Sequence, residues 1–523
     1  MWFVPLKHPM ASDSSKNSYA QILKSTALIG GSSAITILLG IVRTKFAAVF
    51  LGPFGIGLMG TYVTITGAIL VFAGMGLGSS GIRQIAEAAA SGDDVRIARS
   101  VLTVRRMAFV LGCLGVLLLV VLAAPISMET FGTRGETTAL IALSVTVLLG
   151  AISAGQCALI QGLRRIGDLA KLSVLGAVLG TLISIPMIYL WGQKSIVPIL
   201  LTISATGTLM SWHFARKITT VPVQMTWAET WKESIPLFRL GVVFMGSALM
   251  TALVAYITRL MIIRGMSLDA AGLYQSSWNL SNVYVGFILA AMGADFYPRL
   301  TALAKDHPAV NQLVNEQTEV ALLMALPGLV ATLAVAPWVI QLFYSAEFVA
   351  AADVLRWQAL GLVLRVVSWP LGFILIAKGE GSWFFWTELL TNFVYVGIFW
   401  LGITFYGLPG SGMAFLGLYV FYLTLIYFVA GHLTAFRWSV ANIRLILLTV
   451  FVSSFVFIGT MRIPTMWCAA LGGVITLLLG GYSLKMLTRL LQRNPLASVI
   501  FKVKQIFGRV STRPLNKPQV DAE

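Results

Sequence analysis

The feature that most constrains this sequence is a succession of apolar segments, each about as long as the path across a lipid bilayer. A spanning helix needs about 20 mostly apolar residues, and only helices or closed barrels satisfy every backbone polar group inside lipid. Barrel strands would alternate in polarity, whereas these segments are apolar throughout. Of the 523 residues, 58% are hydrophobic and only 11% are charged. We therefore predict an all-α polytopic membrane protein.

Segment length and hydropathy predict about fourteen spans. They lie near residues 25–51, 58–83, 105–126, 138–162, 168–191, 195–215, 235–262, 270–296, 317–343, 353–377, 383–406, 409–432, 444–461 and 466–487. The second span of each six-span half shares a pattern, in which Gly57-Leu58 recurs as Gly272-Leu273. Six spans per half give both halves the same orientation, so the repeats would be parallel.

This arrangement predicts two six-helix lobes followed by about two extra C-terminal helices. The predicted parts are a cytoplasmic N-terminus (1–24), an N-lobe (25–215), a cytoplasmic linker (216–234), a C-lobe (235–435), an appended pair of spans (436–490) and a basic cytoplasmic tail (491–523).

Lysine and arginine are concentrated in every second loop, which indicates the orientation of the chain. Short cytoplasmic loops are enriched in these residues, and the distribution places both termini in the cytoplasm. It also accounts for the net charge of +17, so we predict membrane lipids and no nucleic acid as partners. The basic tail could lie on anionic head groups or be simply solvated.

The loops offer little for catalysis or cofactor binding. The acids of the non-cytoplasmic loops form no catalytic motif, and no glycine-rich phosphate-binding motif is present. The three cysteines and four histidines are scattered, without the spacing of metal ligands. We therefore predict no catalytic residues, no metal and no cofactor, and a transporter rather than an enzyme.

The strongest candidate site residue is Arg365, near the middle of its span. Ser368 and Trp369 follow on the same helical face, and Pro370 interrupts the backbone hydrogen bonds. A charged side chain inside a membrane usually faces a cavity or a partner. We interpret this group as cavity lining, with an arginine merely paired inside the bundle as the alternative.

Two further cations, Arg43 and Lys45, lie within the first apolar helix, just before a glycine-rich break at 51–57. Being two residues apart, they point to different faces, so at most one faces a central cavity squarely. Arg259 lies one turn from an outer helix end. That position favours an interfacial anchor, and we include Arg259 as the weakest of the cavity cations.

Acidic residues within the spans are fewer than basic ones. Glu388 could pair with Lys378 or Arg365, and both structural pairing and proton coupling are open. Asp295 and Arg299, four residues apart, are interpreted as a gate or a capping pair. The excess of basic residues predicts an electropositive cavity and an anionic substrate, such as a phosphate or pyrophosphate.

Polar residues also recur at helical spacing on two spans. Ser153 and Gln156 form one such stripe, and Gln275, Asn279 and Asn282 form the other. Interhelical hydrogen bonding is the expected role of both.

Several of these segments resemble a known family. They are Leu51-Gly52-Pro53-Phe54-Gly55-Ile56-Gly57-Leu58, Phe72-Ala73-Gly74-Met75-Gly76-Leu77-Gly78, Trp357-Gln358, Arg365, Ile376-Ala377-Lys378 and Glu388. Over residues 20–435 the chain resembles the Wzx-type O-antigen translocases and lipid III flippases. These form the polysaccharide-transporter branch of the multidrug/oligosaccharidyl-lipid/polysaccharide (MOP) flippase superfamily, whose fold is MATE-like. The extra C-terminal helices depart from the usual twelve-span plan of the family.

The resemblance implies a flippase of the bacterial inner membrane. Its substrate would be an undecaprenyl-pyrophosphate-linked oligosaccharide, moved from the cytoplasmic to the periplasmic leaflet by alternating access, with other glycan-assembly proteins as possible partners. Lys45, Arg365 and Lys378 match basic positions of the family and would contact the pyrophosphate or the sugar. The alternatives are a proton- or cation-coupled small-molecule exporter of the MATE type and a membrane glycosyltransferase or polymerase.

Overall fold

The structure is a computed structural model that describes residues 12–218 and 220–493. Within these ranges the regular structure is helical, so the prediction of an all-α protein is confirmed. The α-helices are α1 (Ser12–Gly74), α2 (Leu77–Ser91), α3 (Asp94–Phe131), α4 (Thr137–Gly162), α5 (Ile166–Trp191), α6 (Ile196–Ala215), α7 (Trp227–Gly265), α8 (Leu268–Ala302), α9 (His307–Phe343), α10 (Ala351–Ala377), α11 (Gly381–Tyr406), α12 (Leu408–Thr434), α13 (Val440–Arg462) and α14 (Thr465–Arg493). The predicted tail beyond residue 493 lies outside the described residues.

Eleven stretches of the described chain are long and apolar enough to cross a membrane, or twelve if the two parts of α8, bent by 44°, count as one span. Two stretches, 30–74 and 166–215, have 45 and 50 residues, about twice the length of one crossing. Each contains a break, at Gly52 in α1 and at the 3-10 turn Gly192–Ser195 between α5 and α6. When α8 is counted as one span, dividing both stretches there gives fourteen spans, the predicted number, including the extra pair α13 and α14.

The break in α1 follows from two adjacent residues. Gly52 has φ 64° and ψ −172°, a conformation that glycine adopts without strain, and Pro53 lacks a backbone N–H for the helical ladder. One boundary differs from the prediction, because the second span was expected to continue to residue 83. The helix ends at Gly74, since Met75 and Gly76 have positive φ and α2 starts after them.

The described chain divides into two compact units. The first unit comprises the chain up to Leu280 together with Pro337–Trp357 and Phe385–Leu418. The second unit comprises Ser281–Ala336, Gln358–Phe384 and the chain from Tyr419 onward.

In the first unit, α1 and α8 cross with their backbones almost in contact. A methyl group at Gly57 would lie 2.1 Å from the carbonyl oxygen of Leu268, and one at Gly272 would lie 1.9 Å from the carbonyl oxygen of Pro53. Small residues permit such close helix approach inside membranes. Gly57 and Gly272 are also the two glycines that the predicted repeat pairs with each other.

The start of α7 is fixed to α3 by polar contacts, also within the first unit. Arg99 Nε lies 2.6 Å from Glu233 Oε1. Arg106 donates to the hydroxyl oxygen of Thr230 at 2.7 Å and stacks 5.0 Å over the Trp227 ring. The segment predicted as a linker is therefore helical from Trp227 and tied to the N-terminal helices.

In the second unit, the core contains Phe296, Trp369 and Phe373 together with aliphatic residues of α9, α10 and α12. The start of α13 is attached to α9 through Asn315, whose side-chain oxygen accepts from the backbone N–H of Ser439 at 2.8 Å. The amide of Asn442 also donates to the carbonyl oxygen of Asn315 at 2.8 Å. These contacts integrate the start of the appended pair into the second unit.

Candidate functional site

A polar network in the first unit joins α7, α8 and the end of α9. Arg259 donates to the side-chain oxygen of Gln275. Gln275 Nε2 donates to Asn279 Oδ1 at 2.7 Å, and Asn279 Nδ2 donates to the hydroxyl oxygen of Tyr344 at 3.3 Å. The network extends from buried Arg259 to exposed Asn279, so the predicted stripe on α8 does form interhelical hydrogen bonds.

Arg259 is the charged residue of this network, and most of its guanidinium group has no partner among the described residues. Only 6% of the residue is exposed, and its Nε and Nη1 have no hydrogen-bond partner among the described residues. The guanidinium also forms no ion pair within the described chain. A buried unpaired charge is costly, which makes Arg259 the strongest candidate anion ligand of the first unit.

The position of Arg259 depends on a glycine of α1. A methyl group at Gly60 would lie 2.5 Å from Arg259 Nη1 and 3.0 Å from the side-chain oxygen of Gln275. The guanidinium therefore occupies space that any larger residue at position 60 would fill. The sequence position of Arg259, near a helix end, suggested an interfacial anchor. Its burial depends on a contact with a neighbouring helix, which its position within the span does not reveal.

The two cations of α1 have different surroundings. Lys45 Nζ donates to the carbonyl oxygen of Gln341 at 2.7 Å, in the last turn of α9. A cation at a helix C-terminus is favourable, because the carbonyl groups there lack intrahelical donors. Arg43 lies beside Gly180 of α5. The two side chains thus contact different helices, as their spacing of two residues predicts.

Glu388 has a partner on α7 in the same unit. The hydroxyl of Ser247 donates to Glu388 Oε1 at 2.8 Å. The sequence suggested Lys378 or Arg365 as its partner, and the observed hydrogen bond is with a neutral hydroxyl instead.

In the second unit, Arg365 of α10 donates to Asn282 Oδ1 of α8 at 2.7 Å. Ser368 is fully buried and bonds to the carbonyl oxygen of Arg365 in its own helix. Trp369 packs 4.6 Å from the ring of Phe373. In this conformation the hydroxyl of Ser368 is therefore satisfied inside its own helix, and Trp369 is part of the packing.

The remaining candidates of the second unit form local pairs. Lys378 Nζ donates to His307 Nε2 at 2.8 Å, joining the end of α10 to the start of α9. Arg299 and Asp295, which the sequence suggested as a gate or a capping pair, form an i, i+4 ion pair at 3.1 Å with both side chains largely exposed.

Sequence reasoning did not single out Gly60 or Tyr344, which complete the network around Arg259. Tyr344 is almost fully buried, and only its contact with Asn279 reveals a polar role. Among the described residues, no group of three or more His, Cys, Asp or Glu side chains is arranged to hold a metal ion.

Solved structures of other proteins have a similar fold. The lipid II flippase MurJ in its inward closed conformation aligns with a TM-score of 0.67 at 13% identity, covering 88% of this chain and 98% of that chain. An inward-facing MATE family multidrug transporter of the MOP superfamily aligns at 0.64 and 15% identity, covering 76% and 96%. The fold is thus the multi-helix fold that MurJ and the MATE family transporter share, and the prediction of a MATE-like fold is confirmed.

The sequence assigns the family. Residues 47–353, more than half of the chain, match the family described as polysaccharide biosynthesis protein, and the chain belongs to this family. The lipid III flippase of Escherichia coli (strain K12) is 26% identical over 426 residues, covering 77% of this chain and 97% of that protein. The lipid III flippase of Shigella flexneri gives the same values. The prediction of a transporter rather than an enzyme is confirmed.

Proposed function

We propose that this protein flips an undecaprenyl-pyrophosphate-linked oligosaccharide, the repeat unit of an O-antigen or a related surface glycan. It would act in the bacterial inner membrane with both termini in the cytoplasm. The substrate would move from the cytoplasmic to the periplasmic leaflet by alternating access, with its head group in an electropositive cavity and its lipid tail in the bilayer. Without such a cavity, the pyrophosphate would have to cross hydrocarbon, and the free energy of moving an ion from water into hydrocarbon is large and unfavourable.

The observation that carries this proposal is the buried guanidinium of Arg259 in a protein of this family. An approaching phosphate group would supply acceptors for Nε and Nη1, which lack them among the described residues. Arginine suits this role, because its planar donors match phosphate oxygens in pairs. The neighbouring amides of Gln275 and Asn279 are suited to hydroxyl groups of a sugar.

In the second unit we propose that Arg365 also binds a phosphate group of the substrate. Its hydrogen bond to Asn282 holds a charged group in the middle of a span, where an isolated cation would be costly. Lys45 and Lys378 are proposed as further cationic contacts. Each already bonds to a neutral acceptor, so each charge could be shared with an anion without breaking an ion pair.

The test is surface glycan display in cells that depend on this chain. Arg259→Gln and Arg365→Ala are expected to reduce display by about tenfold or more, because a charge-assisted hydrogen bond contributes about 1.5–3 kcal/mol. Lipid-linked precursor should accumulate on the cytoplasmic side. Arg134→Gln is the matched control, since Arg134 is exposed in the loop between α3 and α4.

Normal display by well-expressed Arg259 and Arg365 variants would refute the residue assignments. Drug export by the wild-type chain, without any glycan phenotype on deletion, would favour an exporter of the MATE type. Extension of lipid-linked glycan by the purified protein would show a polymerase instead.

A further inference from the structure

A basic cavity lies in the first unit, and none of its lining residues belongs to the Arg259 network. It has a volume of about 440 Å³ and is formed by α3, α4 and the end of α6. Its lining includes Arg105, Phe109, Gln156, Trp212 and Arg216. By the distribution of basic residues, these ends of α3 and α6 are the predicted cytoplasmic ends.

The lining carries positive charge without compensation. No acidic residue belongs to it, and neither Arg105 nor Arg216 forms an ion pair within the part of the chain that is described. Arg216 is oriented by the ring of Trp212, 4.7 Å from its guanidinium carbon, and lies 3.3 Å from His213 Nδ1. Both guanidinium groups therefore retain donors for an external anion.

Gln156 adds a donor from deeper in the cavity wall. Only 8% of the residue is exposed, and its Oε1 accepts from the hydroxyl of Ser211 at 2.5 Å. This bond uses the oxygen and leaves the amide nitrogen without an acceptor among the described residues. The Ser153–Gln156 stripe thus has the expected interhelical bond and one unused donor.

The apolar part of the cavity continues onto an exposed apolar surface. Phe109 and Trp212 are about half exposed, and Val110 and Leu209 beside them are also exposed. Apolar side chains exposed on spanning helices face acyl chains. Phe109 and Trp212 lie near ends of predicted spans, and aromatic residues there are typical of the boundary between head groups and hydrocarbon.

We infer that this cavity is a binding site for an anionic phospholipid of the inner leaflet. The phosphate would bind between Arg105 and Arg216, with Gln156 as an additional donor, and the acyl chains would cover Phe109 and Trp212. Basic pockets between helices at the cytoplasmic side are suited to such head groups. The site is separate from the proposed substrate contacts, so its occupancy can be measured without transport.

The test is native mass spectrometry of the purified full-length chain, titrated with cardiolipin, phosphatidylethanolamine or inorganic phosphate. The wild-type chain is expected to retain cardiolipin in preference to phosphatidylethanolamine. The double variant Arg105→Gln/Arg216→Gln should bind cardiolipin on the order of tenfold more weakly, since each basic residue near a membrane surface contributes about 1 kcal/mol.

The matched control is Arg96→Gln/Arg437→Gln, which removes the same charge at two exposed arginines outside the cavity. This control should retain wild-type affinity. Equal weakening in both double variants would overturn the site, because it would show a diffuse charge effect. Binding of inorganic phosphate as tight as that of cardiolipin would overturn the lipid assignment, and so would displacement of cardiolipin by equimolar undecaprenyl pyrophosphate.

Discussion

Replacing Gly57 by alanine tests the close crossing of α1 and α8. The added methyl group would lie 2.1 Å from the carbonyl oxygen of Leu268 and 2.9 Å from the backbone nitrogen of Gly272, whereas non-bonded heavy atoms normally lie about 3.5 Å apart. Both obstacles are backbone atoms, so no side-chain rotation relieves them. The helices would have to separate by about 1 Å or more.

Overpacking of this kind costs about 1–3 kcal/mol, whereas alanine gains up to about 1 kcal/mol in helix propensity. We therefore expect net destabilisation of about 1–2 kcal/mol, with loss of the contact that holds Gly60 against Arg259. The matched control is Gly67→Ala in the same helix, where a methyl group would meet nothing within 4 Å. The assay is thermal unfolding in detergent. Equal melting temperatures for both variants would refute a tight crossing.

Two further predictions concern the start of α7. The backbone N–H and the hydroxyl of Thr226 both bond to the Glu229 carboxylate and lower its pKa below 4.5, with a smaller contribution from Arg99. This contribution to stability is present above pH 4.5 and is lost as pH falls through the lower pKa of the folded state. The protection factors of the first amides of α7, which correct the exchange rates for their intrinsic dependence on pH, should therefore fall on acidification. Glu229→Gln should remove this dependence, and protection factors that do not change with pH in the wild-type chain would contradict the prediction. Separately, Arg99→Glu should destabilise the protein by about 1 kcal/mol or less, and combining it with Glu233→Arg should restore part of that loss in a double-mutant cycle. Strictly additive effects would show that the pair contributes nothing.

The sequence predicted features that depend on local chemistry or on segment length. Gly52 and Pro53 interrupt α1 as expected, because their backbone properties do not depend on distant contacts. The spans follow from the cost of exposing backbone polar groups to lipid. The ion pair of Asp295 and Arg299 follows from helical spacing alone.

The features that the sequence did not predict depend on which helices pack together. Arg259 is near a helix end in the sequence, yet it is buried because Gly60 leaves space for it on a neighbouring helix. Ser368 shares a face with Arg365, but a hydroxyl can bond within its own helix, and the shared face alone does not predict which partner it takes. Tyr344 gains its polar role only through Asn279 on another helix.

The most direct test of the proposed function is leaflet transfer in proteoliposomes that contain only this chain and an undecaprenyl-pyrophosphate-linked oligosaccharide. A glycan-cleaving enzyme added outside reports the lipid that reaches the outer leaflet. The wild-type chain should make the inner-leaflet fraction accessible over time, whereas vesicles with Arg259→Gln should release little beyond the outer-leaflet fraction. Transfer by the wild-type chain no faster than in protein-free vesicles would contradict the proposed function.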